Sequence, residues 1–207
     1  MFISLEGGEG SGKSLMGKKL FEYLNYRGVK VLYTAEPGGT VLGNKLTRIL
    51  KDSQPSEISP LAELFLFNAS RAQLVAEVIN PALLKGRTVI CDRFFDSTIA
   101  YQAYARGLNL EEVRQICAVA TVGLVPDLTI YLDIDPEEGL KRKSLEEYNR
   151  FEKEDLSFHL AVRKGFQIMM TEEPWRFYAV DATLSPEEVF SLIKDKIAEY
   201  LDLDGIS

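Results

Sequence analysis

Gly7-Gly8-Glu9-Gly10-Ser11-Gly12-Lys13-Ser14 sets glycines, a lysine and a hydroxyl at the G-x-x-x-x-G-K-[ST] spacing that holds the phosphates of a nucleoside triphosphate. Gly7, Gly8, Gly10, Ser11 and Gly12 let backbone N–H groups curl around phosphate oxygens. Lys13 can reach the outer phosphates, and the Ser14 hydroxyl can ligate Mg²⁺. A second group lies at Thr88-Val89-Ile90-Cys91-Asp92, an apolar run ending in a carboxylate that could support Mg²⁺ directly or through water, with the Arg93 guanidinium beside it for phosphate. Asp133 ends another apolar run and is the rival for the metal. A third group is Phe67 and Arg71, four apart on a predicted helix, where an aromatic plate and a bidentate donor share one face and could receive a planar base. Taken alone, that pair also suits a core phenylalanine and a surface arginine. Glu36-Pro37-Gly38-Gly39-Thr40 reads by itself as a turn that caps the next helix through Thr40.

These groups need a scaffold that brings strand ends together. Short apolar runs at 2–5, 29–34, 88–91, 128–133 and 176–180 read as strands. Between them, helical patterns cover 13–26, 41–50, 60–84, 97–104, 110–122, 136–143, 151–170 and 185–201. Alternation of this kind predicts an α/β fold, a five-stranded parallel sheet with helices on both faces, whose ligands sit beyond the C-terminal strand ends. Gly7 to Ser14, Glu36 to Thr40, Asp92-Arg93 and Asp133 fall at those ends. The 207 residues, 46% of them hydrophobic, suit one domain over 1–207 with a substantial core. A net charge of −7 offers no global field for nucleic acid or an anionic membrane, so the expected partners are small molecules. Cys91 and Cys117 lack metal-ligand or redox spacing and suit a reducing cytoplasm. No apolar run reaches membrane-spanning length, and the N-terminus enters a strand directly. His159, the only histidine, sits in a helical stretch and is given no role.

Over nearly its whole length the chain resembles the thymidylate kinases. The resemblance rests on LEGGEGSGKS at 5–14, EPGGT at 36–40, FNASR at 67–71, Asp92-Arg93 with DSTIAYQ at 96–102, and PDLTIYLD at 126–133. DSTIAYQ after Asp-Arg is the most discriminating, because other nucleoside monophosphate kinases share only the fold and the phosphate loop. The resemblance implies ATP-dependent phosphorylation of dTMP to dTDP, Mg²⁺ with ATP, and a homodimer. It further implies that Phe67 stacks on thymine, Arg71 bonds the base, Thr98 and Gln102 line the base and sugar pocket, and Tyr101 crowds the ribose 2′ side. Glu9 matches an acid facing the acceptor sugar, Glu36 lies on the acceptor side, Arg93 matches an arginine at the acceptor phosphate, and Arg142 one that packs on adenine. Lys13, Ser14 and Asp92 would serve ATP and Mg²⁺.

Three departures from the family pattern follow. Ala35 replaces an arginine often found before EPGGT. An arginine usual in the next helix falls at Thr47, leaving Arg48 as its neighbour and substitute. Gly10 stands where some members carry an arginine, which points to a short lid at about 143–150 as the source of the catalytic cation, with Lys143 or Arg150 supplying it and Lys141 nearby. The alternatives are a P-loop kinase for another nucleoside monophosphate and, from a different class, a nucleotide-binding ATPase switch. A guanine-specific N-K-x-D is missing: Asn44-Lys45-Leu46-Thr47 lacks the aspartate and lies too early.

Overall fold

In the computed structural model, residues 1–52, 58–143 and 150–201 are described. Five strands, β1 (Phe2–Gly7), β2 (Val31–Ala35), β3 (Thr88–Asp92), β4 (Leu128–Asp133) and β5 (Phe177–Asp181), form a wholly parallel sheet in the order β2-β3-β1-β4-β5. β1 is central, pairing Leu5 with Asp92 of β3 and Gly7 with Leu132 of β4, so the phosphate loop leaves the middle of the sheet. The order reverses on either side of β1, which makes the loop's position the topological switch point where ligands of such sheets collect.

Side chains on the strands alternate between two buried layers. Ile3, Leu5, Ile90, Ile130 and Val180 face α1 (Lys13–Tyr26) through Met16, Leu20 and Leu24, and α9 (Pro186–Ala198) through Val189, Ile193 and Ile197. On the other face, Phe2, Val89 and Cys91 meet Leu74, Val75 and Ile79. Beside them, Tyr131 and Phe177 meet Ile99, Val162 and Phe166. The helices supplying that face are α3 (Pro60–Leu74), α4 (Asn80–Leu84), α5 (Phe95–Thr98), α6 (Leu110–Thr121) and α8 (Leu156–Glu172), while α2 (Val41–Asp52) packs on α3 and α7 (Pro136–Lys141) on α8. Both cysteines are buried free thiols.

Boundaries shift for local reasons. The helix predicted over 60–84 is interrupted by a π-helical turn at Val75–Ile79, which accommodates Pro81: its ring lacks an N–H and would crowd the carbonyl four residues back. The helix predicted over 97–104 is mostly π-helical, Ile99–Ala105. α8 starts at Leu156 rather than 151, because the Asp155 carboxylate caps the Phe158 N–H at 2.9 Å.

Candidate active site

The loop between β1 and α1 is built by backbone conformations that side chains disfavour. Gly12 caps α1 with φ 86°. At Gly10, φ is +69°, and an added Cβ would lie 1.8 Å from the Gly139 carbonyl oxygen of α7. An arginine at position 10 would collide with α7, so the cation that the loop itself carries is Lys13. Lys13 folds back so that its ammonium donates to Gly8 O at 2.6 Å and Ser11 Oγ at 3.1 Å. Burial, then the adjacent Arg93 charge, push its pKa down to about 8 against the pull of Glu9 and Asp92. The Ser14 hydroxyl donates to Asp92 Oδ2 at 2.5 Å.

The two candidate carboxylates differ in their partners. Arg163 neutralises Asp133, with Nε 2.8 Å from Oδ1 and Nη2 3.2 Å from Oδ2, whereas Asp92 opens onto Ser14 at the end of β3. Among the described residues no group of three or more His, Cys, Asp or Glu could hold a metal alone. One hydroxyl and one carboxylate side by side suit Mg²⁺, which keeps its waters and takes its remaining ligands from substrate phosphates.

Immediately after β3, Arg93 has φ 68°, a left-handed conformation a non-glycine residue adopts at a cost of about 1–3 kcal/mol. The conformation aims its guanidinium back over the loop. Nη1 donates to Gly7 O at 3.1 Å and Ser97 Oγ at 3.0 Å, and Nη2 lies 2.8 Å from Glu9 Oε1. The Tyr101 hydroxyl donates to the same Glu9 oxygen at 2.8 Å. Lys143 approaches Glu9 Oε2 at 3.3 Å and also pairs with Glu152. Burial raises the Glu9 pKa, but Arg93, Lys13 and Lys143 outweigh it and hold the carboxyl below the usual range, so Glu9 is an anion that keeps several cations in place.

Further along the same cavity, Phe67 and Arg71 project from α3 as the spacing predicts. Arg71 is not at the surface: it is 1% exposed, its Nη2 lies 2.6 Å from Glu36 Oε2, and it donates to Thr98 Oγ1 at 2.9 Å and Phe94 O at 3.2 Å. Burial raises the Glu36 pKa while Arg71 opposes the shift. Gln102, equally buried, donates to Glu63 Oε1 at 2.8 Å. The cavity these walls enclose has a volume of about 500 Å³, with loop residues Glu9 to Ser14 at one end and Phe67, Arg71, Thr98, Tyr101 and Gln102 at the other.

A family model described as thymidylate kinase matches residues 5–193. The chain belongs to the thymidylate kinase family. It is 52% identical over 203 residues to the thymidylate kinase of Dehalococcoides mccartyi, covering 98% of each chain, and 49% identical over 201 residues to that of a Synechococcus species, covering 95% and 97%. The crystal structure of thymidylate kinase from Ehrlichia chaffeensis superimposes with a TM-score of 0.79 at 30% identity, over 95% of this chain and 98% of that one. The enzyme therefore carries out ATP-dependent phosphorylation of dTMP to dTDP on a P-loop sheet of the expected class.

Two residues expected in this kinase's site lie elsewhere. Arg150 is enclosed, 1% exposed, ion-paired to Glu63 and packed over the Phe151 ring with 4.6 Å to the centroid; it does not line the cavity. Residues 144–149 of the expected lid lie outside the described residues, so Lys143 is the lid cation that the cavity contains. Arg48 is exposed on α2 away from the cavity, because successive helical side chains are turned by about 100°. The cation that α2 does offer is Lys51. Arg142 lines the cavity near the loop, held by Ala182 O at 2.7 Å and Glu138 at 2.8 Å. Gly7, Gly8 and Ser11 stand behind the lining as acceptors for Arg93 and Lys13.

Sequence reasoning missed Glu6, Glu63, Phe151 and Glu152. Glu6 is wholly buried at the end of β1, receiving the Phe94 N–H at 2.7 Å and the Ser97 hydroxyl at 2.5 Å; burial, then the nearby Asp96, push its pKa up to about 8. The available signal was an acid inside an otherwise apolar strand, which requires a buried partner.

Proposed function

We propose that the two ends of the cavity divide the reaction. ATP lies with its phosphates on the Gly7–Ser14 loop and the N-terminus of α1, and Arg142 flanks the adenine. Ser14 and Asp92 hold Mg²⁺, which supplies charge neutralisation on the donor phosphates when bound. Thymine stacks on Phe67 and hydrogen-bonds to Arg71, with Thr98, Gln102 and Glu36 closing the pocket. Tyr101 and Glu9 face the sugar, Arg93 takes the acceptor phosphate, and Lys143 approaches the transferring group.

The observation that carries this reading is a single cavity lined by both Lys13, Ser14 and Asp92 and by Phe67, Arg71, Thr98 and Gln102. Phosphoryl transfer asks little covalent chemistry of the protein. Its barrier falls by in-line alignment and by cations fixed where charge spreads on the transferring group. Arg93, locked by four acceptors and its own backbone, is such a fixed cation.

The supporting features extend to assembly and placement. The chain acts as one kinase domain over 1–207, pairs as a homodimer and works in the cytoplasm on ATP and dTMP, without nucleic acid or membrane. Exposed Leu61 and Phe65 on α3 are consistent with a covered helix face, and no helix among the described residues is long and apolar enough to cross a membrane. ADP release with Mg-ATP against dTMP, dUMP, AMP and no acceptor, repeated with Phe67→Ala, tests the division. The variant should raise the dTMP KM about tenfold or more through lost stacking while leaving the ATP KM in place. A shift in the ATP KM alone would reverse the assignment of the two ends.

A further inference from the structure

Among the described residues six cations line the cavity, and five of them have partners there. Lys13 rests on Gly8 O and Ser11, Arg71 on Glu36, Arg93 on Glu9, Arg142 on Glu138, and Lys143 on Glu9 and Glu152. Lys51 has neither an ion pair nor a hydrogen bond to any described residue. It lines the cavity together with Ala35, Glu36 and Pro37.

Its position follows from α2. Thr47 sits one turn earlier on the same helix face, and its hydroxyl is engaged by Pro37 O at 2.8 Å and Gly43 O at 2.9 Å, so Thr47 locks the loop after β2 and offers no charge. Ala35, at the end of β2, offers none either. Helical side chains lean toward the helix N-terminus, and a residue covers the surface above the turn preceding it. Lys51 therefore reaches back over Thr47, delivering an ammonium to the wall that Ala35 and Thr47 leave neutral. Glu36 on the same wall is already neutralised by Arg71. A cation with no partner among the described residues, lining the same cavity as a neutralised acid and as Arg93, is matched by a dianionic phosphate.

We propose that Lys51 binds the phosphate of the acceptor nucleotide, completing with Arg93 a two-sided grip in which Arg93 is fixed beforehand and Lys51 closes on arrival. This rests on dTMP occupying the Phe67–Arg71 end of the cavity. The two cations differ in kind: Arg93 presents a rigid planar fork, Lys51 a mobile point charge on a long stem. Such a residue adds ground-state hold on the phosphate more than precise alignment, so its removal acts on KM more than on kcat.

The test compares Lys51→Met and Lys51→Arg in steady-state kinetics and in equilibrium binding of dTMP and of thymidine, which lacks the phosphate. Loss of one partly exposed charge-assisted contact predicts a dTMP KM raised about ten- to fiftyfold in Lys51→Met, with the ATP KM held, kcat lowered less than fivefold, and Lys51→Arg near wild type. Thymidine binding should not change. A rise in the ATP KM without one for dTMP, an equal loss for thymidine and dTMP, or no change in either nucleotide would each overturn the proposal. Phe67→Ala, run in parallel, must weaken dTMP and thymidine alike; if it weakens neither, the placement of dTMP fails rather than the role of Lys51.

Discussion

Arg71→Met separates what the buried arginine does for the fold from what it does for the substrate. The side chain is 1% exposed, and its charge is matched by Glu36 at 2.6 Å, with Thr98, Phe94 O and Asn68 taking further guanidinium hydrogens. Methionine fills much of the volume but leaves Glu36, itself buried, without its counter-charge. Breaking a buried pair from one side costs about 3–5 kcal/mol. For a domain of this size that corresponds to a Tm drop of about 6–20 °C. Adding Glu36→Gln removes the stranded charge, so the double variant should regain about 2 kcal/mol or more over Arg71→Met, a coupling readable by chemical denaturation in a double-mutant cycle. The sign with pH follows. Burial already raises the folded pKa of Glu36 above its unfolded value, and loss of Arg71 raises it further. The folded single variant then holds a proton that the unfolded chain has released, so its stability improves as pH falls through that raised pKa. The deficit at pH 5 should be smaller than at pH 8. Activity divides differently: single and double variants should both show a dTMP KM raised at least tenfold, because the base loses its donor either way. Equal stability of Arg71→Met and wild type, or a double variant no more stable than Arg71→Met, would refute the claim that the pair is a mutually dependent buried unit.

Lys143→Met should lower kcat about 100-fold or more by removing a cation from the transferring group, whereas Arg150→Met should cost about 1–3 kcal/mol of stability with kcat within tenfold, since Arg150 is packed against Glu63 and Phe151; the reverse ranking in single-turnover assays would show that Arg150 enters the site. Asp92→Asn should shift the Mg²⁺ concentration for half-maximal activity upward at least tenfold, and an unchanged Mg²⁺ titration would move the metal ligand elsewhere. Glu6 has its pKa pushed up to about 8, above the ordinary carboxylate value of 4.5, so the folded protein holds this proton more tightly and the stability it contributes is lost as pH rises from 4.5 through 8, at up to about 1.4 kcal/mol per pH unit. Glu6→Gln should flatten the slope of unfolding free energy between pH 5 and 8; an unaltered slope would assign that proton to another group.

What could be read from the sequence was what neighbouring residues decide among themselves. Strand, loop and helix at 2–26 form a contiguous unit, and Phe67 and Arg71 needed only the helical repeat to share a face. Failures began where partners are far apart along the chain. Taken without the family resemblance, Arg71 suited the surface as well as a base pocket, because its counter-charge, Glu36, lies 35 positions away on another element. Arg150 looked like a lid cation because its partner, Glu63, is 87 positions away. Arg48 failed for the opposite reason: a slip of one position on a helix turns a side chain by about 100°, and the cavity side of α2 is read by Thr47 and Lys51 instead. The π-helical turns escaped because hydrophobic spacing reports which face is buried and not which carbonyl each N–H reaches.

An acid in the middle of a phosphate cradle runs against simple charge complementarity, and its partners explain why it belongs there. Arg93, Lys13 and Lys143 converge within one loop's width, and without an anion they would repel one another and splay toward water. Glu9 holds Arg93 and Lys143 in register before any phosphate arrives, and the Gly8 carbonyl does the same for Lys13. With the substrates placed as proposed, incoming phosphates would exchange for acceptors already at the right distance, so little reorganisation would be needed as charge develops on the transferring group. The strained φ of Arg93 serves the same end, since a relaxed backbone would carry the guanidinium away from the Gly7 carbonyl and Glu9. The cavity's cations are thus assembled on internal stand-ins for a phosphate, and Lys51, without a partner among the described residues, is the one the proposal assigns to follow the acceptor in.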